Sequence, residues 1–137
     1  KLPDQNENDL RKAIEWVEKK GIRKVIILGA TGKRDDHSLA NIFTLLQYAS
    51  LLEITMYSNY GIFSVVKGKH EFDSFRGQHI SLFSTDPSIE ITSNNLKYNM
   101  KLYNLTNLYC GSLNESIDEN FTITISHGRI LVYQVFS

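Results

Sequence analysis

The run Val25-Ile26-Ile27-Leu28, closed by Gly29, constrains this chain more than any other stretch. Three of its four residues are β-branched and none is polar, so a strand buried on both faces is the expectation. Strands of that kind sit inside parallel sheets covered by helices, and helical patterns flank this one on either side. Upstream, Leu10, Ala13, Ile14 and Val17 recur at the spacing of one helical face, with Asn8 or Asn6 as N-cap and Gly21 as stop. Downstream, after the loop from Gly29 to Asp36, the spacing predicts a second helix from about His37 to Ser50, with Leu39, Ile42, Phe43, Leu46 and Ala49 on its inner side.

From Leu52 onward the period changes to short alternating stretches, ITMYS, IFSVVKG, HEF, HISLFS, IEITS, MKLYNL, FTITIS and RILVYQVF, broken by Gly, Asn, Asp and Pro. His127-Gly128 reads as a hairpin turn, with Phe121, Ile123 and Ile125 facing one way and Thr122 and Thr124 the other. The fold class that follows is α/β and then all-β: part of a parallel-sheet αβα domain over residues 1–58, and a β-sandwich or flattened barrel over 59–137. A doubly buried strand needs strand neighbours, and the first half offers only Arg23 to Leu28 and Leu52 to Ser58. The expectation is therefore that a partner chain completes the sheet, or that an N-terminal portion lies outside this sequence, which opens at Lys1 without a methionine.

Charge excludes some partners. The 15 Lys plus Arg balance the 15 Asp plus Glu, so no general field draws the chain to nucleic acid or to a membrane surface, and any anion must be held by local groups. No apolar run approaches the roughly 20 residues of a membrane span, and the polar, acidic start is unlike a signal peptide, so the cytoplasm is the expected location. Cys110 is the single cysteine and reads as a packed strand residue.

Three segments carry residues suited to chemistry. Gly29-Ala30-Thr31-Gly32-Lys33-Arg34-Asp35-Asp36 lies between the carboxyl end of a strand and the start of a helix, where backbone N–H groups and the helix dipole converge on an anion. Gly32 lets the backbone approach a phosphate, Lys33 and Arg34 add charge-assisted bonds, and Asp36 suits a metal, a ribose hydroxyl or an ammonium. The same letters also suit a Gly-rich connection with solvated charges. In PDQNENDL, Asp4, Glu7 and Asp9 suit either helix capping or, for Asp9, a magnesium ion bridging triphosphate oxygens, with Gln5 bonding a heterocycle. In CGSLNES, Ser112 and Asn114 are either turn formers or ligand contacts. The four histidines have no metal-ligand spacing.

The order and content of these segments resemble the thiamine pyrophosphokinase family along the whole chain. The family's P-D-Q-D-x-T-D-[LF], G-A-x-G-x-R-x-D-H-x-L-A-N, T-x-G-L-K-Y and late S-N-E appear here as PDQNENDL, GATGKRDDHSLANI, TSNNLKY and SLNE. The resemblance implies transfer of a pyrophosphoryl group from ATP to thiamine, giving thiamine diphosphate and AMP. It implies that Asp9 supports Mg²⁺ and catalysis, that Gly32, Lys33, Arg34 and Asp36 lie at the ATP phosphates with Asp36 also catalytic, and that Gln5, Ser112 and Asn114 contact thiamine. It further implies a homodimer with active sites at the subunit interface, and a G-D-x-D-S motif upstream of PDQ that this sequence does not contain. Asn6, Asn8, Asn95 and Leu113 depart from the family pattern, and a catalytically impaired thiamine- or nucleotide-binding module of the same fold is the alternative.

Overall fold

The computed structural model describes residues 3–29, 34–48, 53–108 and 110–137, apart from the side chains of 3–9 and of residue 48. The chain separates into two compact units, Lys1–Asn59 and Tyr60–Ser137. The fold class is the one the residue patterns predict, mixed α/β and then antiparallel β.

In the first unit, α1 (Pro3–Lys19), β1 (Lys24–Leu28), α2 (Asp35–Tyr48) and β2 (Glu53–Tyr57) alternate. β1 and β2 pair in parallel, with Val25 opposite Ile54 and Ile27 opposite Met56. Helix α1 starts at Pro3, ahead of the expected caps at Asn6 and Asn8, because a proline's fixed φ suits the first helical turn and its missing N–H would be unpaired there anyway. The helix ends as expected at Gly21, whose φ of 76° lets Gly21 N–H reach Glu18 C=O and Ile22 N–H reach Val17 C=O. Among the described residues of this unit, Ile14, Leu45, Leu46, Ile54 and Met56 are the buried side chains, while Ala13 and Leu39, expected inside, are exposed and Ala49 lies outside the described residues. β1 also departs from its expectation: Ile26 is 58% and Leu28 73% exposed. Among the described residues of this unit β1 has a strand on one side only, so the run is apolar on both faces but not covered on both.

The second unit is a sandwich of two antiparallel sheets. One has the order β3 (Gly61–Val66), β10 (Ile130–Val135), β5 (His79–Phe83), β8 (Asn114–Glu115), and the other β4 (Lys69–Asp73), β9 (Asn120–Ile125), β6 (Glu90–Asn94), β7 (Tyr103–Asn104). Alternation decides which residues meet between them: Phe121, Ile123 and Ile125 from β9 pack with Ile80 and Leu82 from β5 and Val132 from β10, and Phe72 stacks on Phe121 at 4.9 Å. Each such side chain contributes about 1.5–3 kcal/mol by leaving water. Gly61 has no alternative, since a Cβ there would enter the Tyr133 ring and the Gln134 carbonyl.

The His127-Gly128 turn does not close a hairpin. β9 and β10 belong to different sheets, and the link between them carries the chain across the sandwich. Its hydrogen bonds go to the start of β6 instead: Ser126 N–H donates to Glu90 C=O, Glu90 N–H donates to Ser126 Oγ, and His127 Nε2 lies 3.0 Å from Ser88 Oγ. Among the described residues no helix is long and apolar enough to cross a membrane.

Candidate functional site

In the first unit the structure describes the last part of the Gly-rich connection. Arg34 C=O accepts the first helical bond of α2, from Ser38 N–H, so Arg34 caps the helix and its side chain stands at the positive end of the dipole. Asp36, one residue into the first turn, holds that side chain: Arg34 Nη2 donates to Asp36 Oδ2 at 2.7 Å, and His37 N–H donates to Asp36 Oδ1 at 2.9 Å. Partial loss of hydration acts upward on the Asp36 carboxyl but is outweighed by the Arg34 and His37 hydrogen bonds and the charges beside it, which together hold it below its ordinary value of 3.8. Both side chains are exposed, 76% for Arg34 and 61% for Asp36, so the pair adds little to stability and its effect is to orient the guanidinium. A guanidinium has five N–H donors in a fixed fork, and one bond to Asp36 leaves the others to face an anion. Among the described residues no three of His, Cys, Asp and Glu gather as a cation site, and the Asp36 carboxylate is already taken.

In the second unit, Tyr98, Met100, Tyr103, Cys110, Gly111, Ser112, Leu113 and Asn114 line a cleft of about 450 Å³. It exists because two segments far apart in sequence close on each other. Leu96 bridges Ser116, Lys97 N–H donates to Glu115 C=O at 2.8 Å, and Ile117 N–H donates to Asn95 C=O at 3.0 Å. The Asn114 side chain, only 4% exposed, completes the closure: its Oδ1 accepts from Tyr98 N–H and Glu115 N–H, and its Nδ2 donates to Tyr98 C=O at 2.9 Å. Earlier in the same segment Leu82 N–H donates to Gly111 C=O, and Gly111 approaches so closely that a Cβ would overlap the Leu82 carbonyl.

Three non-glycine residues in and around the cleft sit in left-handed backbone: Asn95, Leu113 and Leu102, the last with φ 50° between the cleft residues Met100 and Tyr103 but outside the lining itself. Asn95 has φ 65°, a conformation that asparagine tolerates better than most residues, and its Nδ2 bonds the backbone and side-chain oxygens of Asn120. Leu113 has φ 64°, costing roughly 1–2 kcal/mol for a residue with a Cβ, yet it is 84% exposed.

Of the residues singled out from the sequence, Arg34 and Asp36 are joined to each other, and Ser112 and Asn114 share the cleft. Gln5 and Asp9 lie four apart on α1, hence on one helical face, and their side chains are outside the described residues, as are Gly32 and Lys33 altogether. Cys110 is not a strand residue: it lies in a turn, half-buried, with Asn107 Nδ2 3.6 Å from its sulfur. Tyr98, Met100 and Tyr103 were not legible as cleft residues; the one available signal was the LKY of TSNNLKY, whose tyrosine is 61% exposed with the Lys97 ammonium 5.5 Å above its ring.

Comparison with known proteins adds an independent observation. The family model described as "Thiamin pyrophosphokinase, catalytic domain" matches residues 1–57, and "Thiamin pyrophosphokinase, substrate-binding domain" matches residues 61–133. Thiamine pyrophosphokinase 1 of Oryza sativa subsp. japonica is 27% identical over 144 residues, covering 96% of this chain and 54% of its own length. A solved protein from Lactobacillus plantarum superposes with TM-score 0.80 at 22% identity, over 98% of this chain and 69% of that one. The thiamine pyrophosphokinase from Bacillus subtilis superposes with TM-score 0.77 at 19% identity, over 96% of this chain and 64% of that one. These structures share the fold, and the chain spans about half the length of the curated relative.

Proposed function

Because this chain belongs to the thiamin pyrophosphokinase family, we propose that the protein of which it forms part transfers the β,γ-pyrophosphoryl group of ATP to the hydroxyl of thiamine. The hydroxyl oxygen bonds to the β-phosphorus, the bridge to the α-phosphate breaks, AMP leaves and the hydroxyl proton passes to a base. In-line chemistry of this kind asks the protein mainly for position and for charge opposite the phosphate oxygens.

The observation that carries the reading is the cleft itself. Two motifs separate in the sequence, TSNNLKY and SLNE, are bonded to each other around one cavity within the residues matched by the substrate-binding domain. A cavity walled by Tyr98, Met100, Tyr103 and Leu113, with polar groups at Ser112 and Asn114, suits a flat heterocycle that needs a few directed hydrogen bonds. Asn114 acts on thiamine chiefly by holding the Tyr98 backbone in place. Arg34, oriented by Asp36, donates to phosphate oxygens, and Gly32 and Lys33 complete that anion site with backbone and ammonium N–H groups. Gln5 is assigned to thiamine.

Magnesium usually keeps several waters and takes one or two carboxylates besides phosphate oxygens, so Asp9 would hold it together with the nucleotide's own oxygens. Held there, the ion would neutralise charge on the triphosphate. Asp36 is not assigned to it, because Arg34 occupies that carboxylate. A cytoplasmic homodimer with sites at its interface completes the reading.

The test is to incubate the full-length protein with ATP, Mg²⁺ and thiamine and to follow AMP and thiamine diphosphate. Product from the wild type, falling roughly tenfold to a hundredfold in Asp36→Asn while stability changes by less than about 0.5 kcal/mol, is the expected result. Thiamine binding without product would show a binding module instead.

A further inference from the structure

Leu113 is the one cleft residue whose place the fold itself does not explain. Its backbone is left-handed at φ 64°, where glycine or asparagine would sit with less strain, and its side chain is 84% exposed, so folding recovers almost nothing from burying it. The chain is fixed on both sides of Leu113: Gly111 before it is bonded to Leu82, and Asn114 after it is clamped to Tyr98. What the conformation achieves is to hold an apolar side chain at the cleft, in the same lining as Tyr98 and Tyr103, themselves 61% and 45% exposed.

We infer that Leu113 is a specificity-determining residue: its side chain packs on the ring of the acceptor bound in the cleft, so that binding covers apolar surface that folding leaves in water. The inference rests on the reading of the cleft as the thiamine site. It makes the cleft favour an acceptor with an apolar ring face at that point.

Two substitutions separate the side chain from the backbone. Leu113→Gly removes the strain and the side chain together, and Leu113→Asn keeps a side chain of similar length that tolerates the left-handed region but is polar. In the full-length protein, calorimetric titration with thiamine is expected to show affinity falling about tenfold in both variants, while the Tm of the ligand-free protein stays level or rises. Those opposed directions are the signature of a ligand-facing residue, since a structural residue would lose stability first. Wild-type binding with unchanged affinity in both variants, even alongside a weaker dimer, overturns the inference and leaves the cleft assignment standing. Affinity that falls only in step with a falling Tm overturns it as well. A wild-type protein that takes up no thiamine removes the cleft assignment and the inference with it.

Discussion

The two candidate regions are built on different principles. Arg34 and Asp36 owe their geometry to one bond between residues two apart at the start of a helix, and both are largely exposed. The cleft owes its geometry to bonds between residues 16 and more apart, centred on an asparagine that is 4% exposed. A local, wet pair of charges can be altered with little consequence for the fold, whereas a buried amide that satisfies three backbone groups cannot. On the proposed reading, function in the first region is separable from stability; in the second the two are joined.

Asn114→Ala is the strongest test of that contrast. It leaves Tyr98 N–H, Tyr98 C=O and Glu115 N–H without their partner, and the expected loss is about 1–3 kcal/mol on chemical denaturation, with thiamine binding lost alongside it. Asn114→Asp keeps the acceptor but replaces the donor facing Tyr98 C=O with a second oxygen, and it should recover only part of the loss. If Asn114→Ala proved as stable as the wild type, the joining of site and fold in this region would be disproved.

These physical differences also decide what could be read in advance. The position of Arg34 and Asp36 between a strand and a helix was legible because a β-branched run, two glycines and a helical period are all local signals. Residues that the structure joins across distance were not: nothing within TSNNLKY says that Tyr98 N–H will meet Asn114, and the two-residue strand β8 is too short to carry a period. The His127-Gly128 turn misled for a related reason. Gly128 has the expected positive φ, 70°, but turn chemistry specifies a change of direction and not which sheet receives the next strand. Ser126 and His127 bond the start of β6, and those partners lie more than thirty residues away in sequence. Leu39 failed by a smaller margin, since periodicity marks an apolar stripe but tertiary packing buried Leu46 within it and Leu45 beside it.

Asn95 offers an intermediate case, in which a local backbone preference and a longer-range bond act on one residue. Alanine there loses both the tolerance of φ 65° and the bonds to Asn120, for about 1–2 kcal/mol; glycine loses only the bonds and gains conformational freedom, so it should cost about half as much. The gap between the two variants in urea measures the local part. A glycine variant as damaging as alanine would mean that the bonds to Asn120 dominate and that the left-handed backbone is incidental.

The smallest effect compares one carboxylate from each unit. Asp86 accepts bonds from the Ser88 hydroxyl and then the Ser88 N–H, with the charge of nearby His127 adding to them, and these outweigh a slight desolvation to hold its carboxyl below the ordinary 3.8, as happens to Asp36 beside Arg34. A depressed folded-state value means that the unfolded chain takes up the proton first as the pH falls, so each group stabilises the protein above 3.8 and that contribution disappears as the pH drops through the lower folded value. Asp36 is exposed and Asp86 about half exposed, so each slope is shallow. Melting temperatures measured from neutral pH down to about 3 should therefore fall less steeply in Asp86→Asn than in the wild type, with no change in thiamine turnover at neutral pH. Asp36→Asn should flatten the same curve while losing turnover, an outcome that would place a function on a local pair that stability hardly notices. Parallel curves for the wild type and Asp86→Asn would show that the Ser88 bonds do not survive in solution, and the contrast would then rest on the cleft alone.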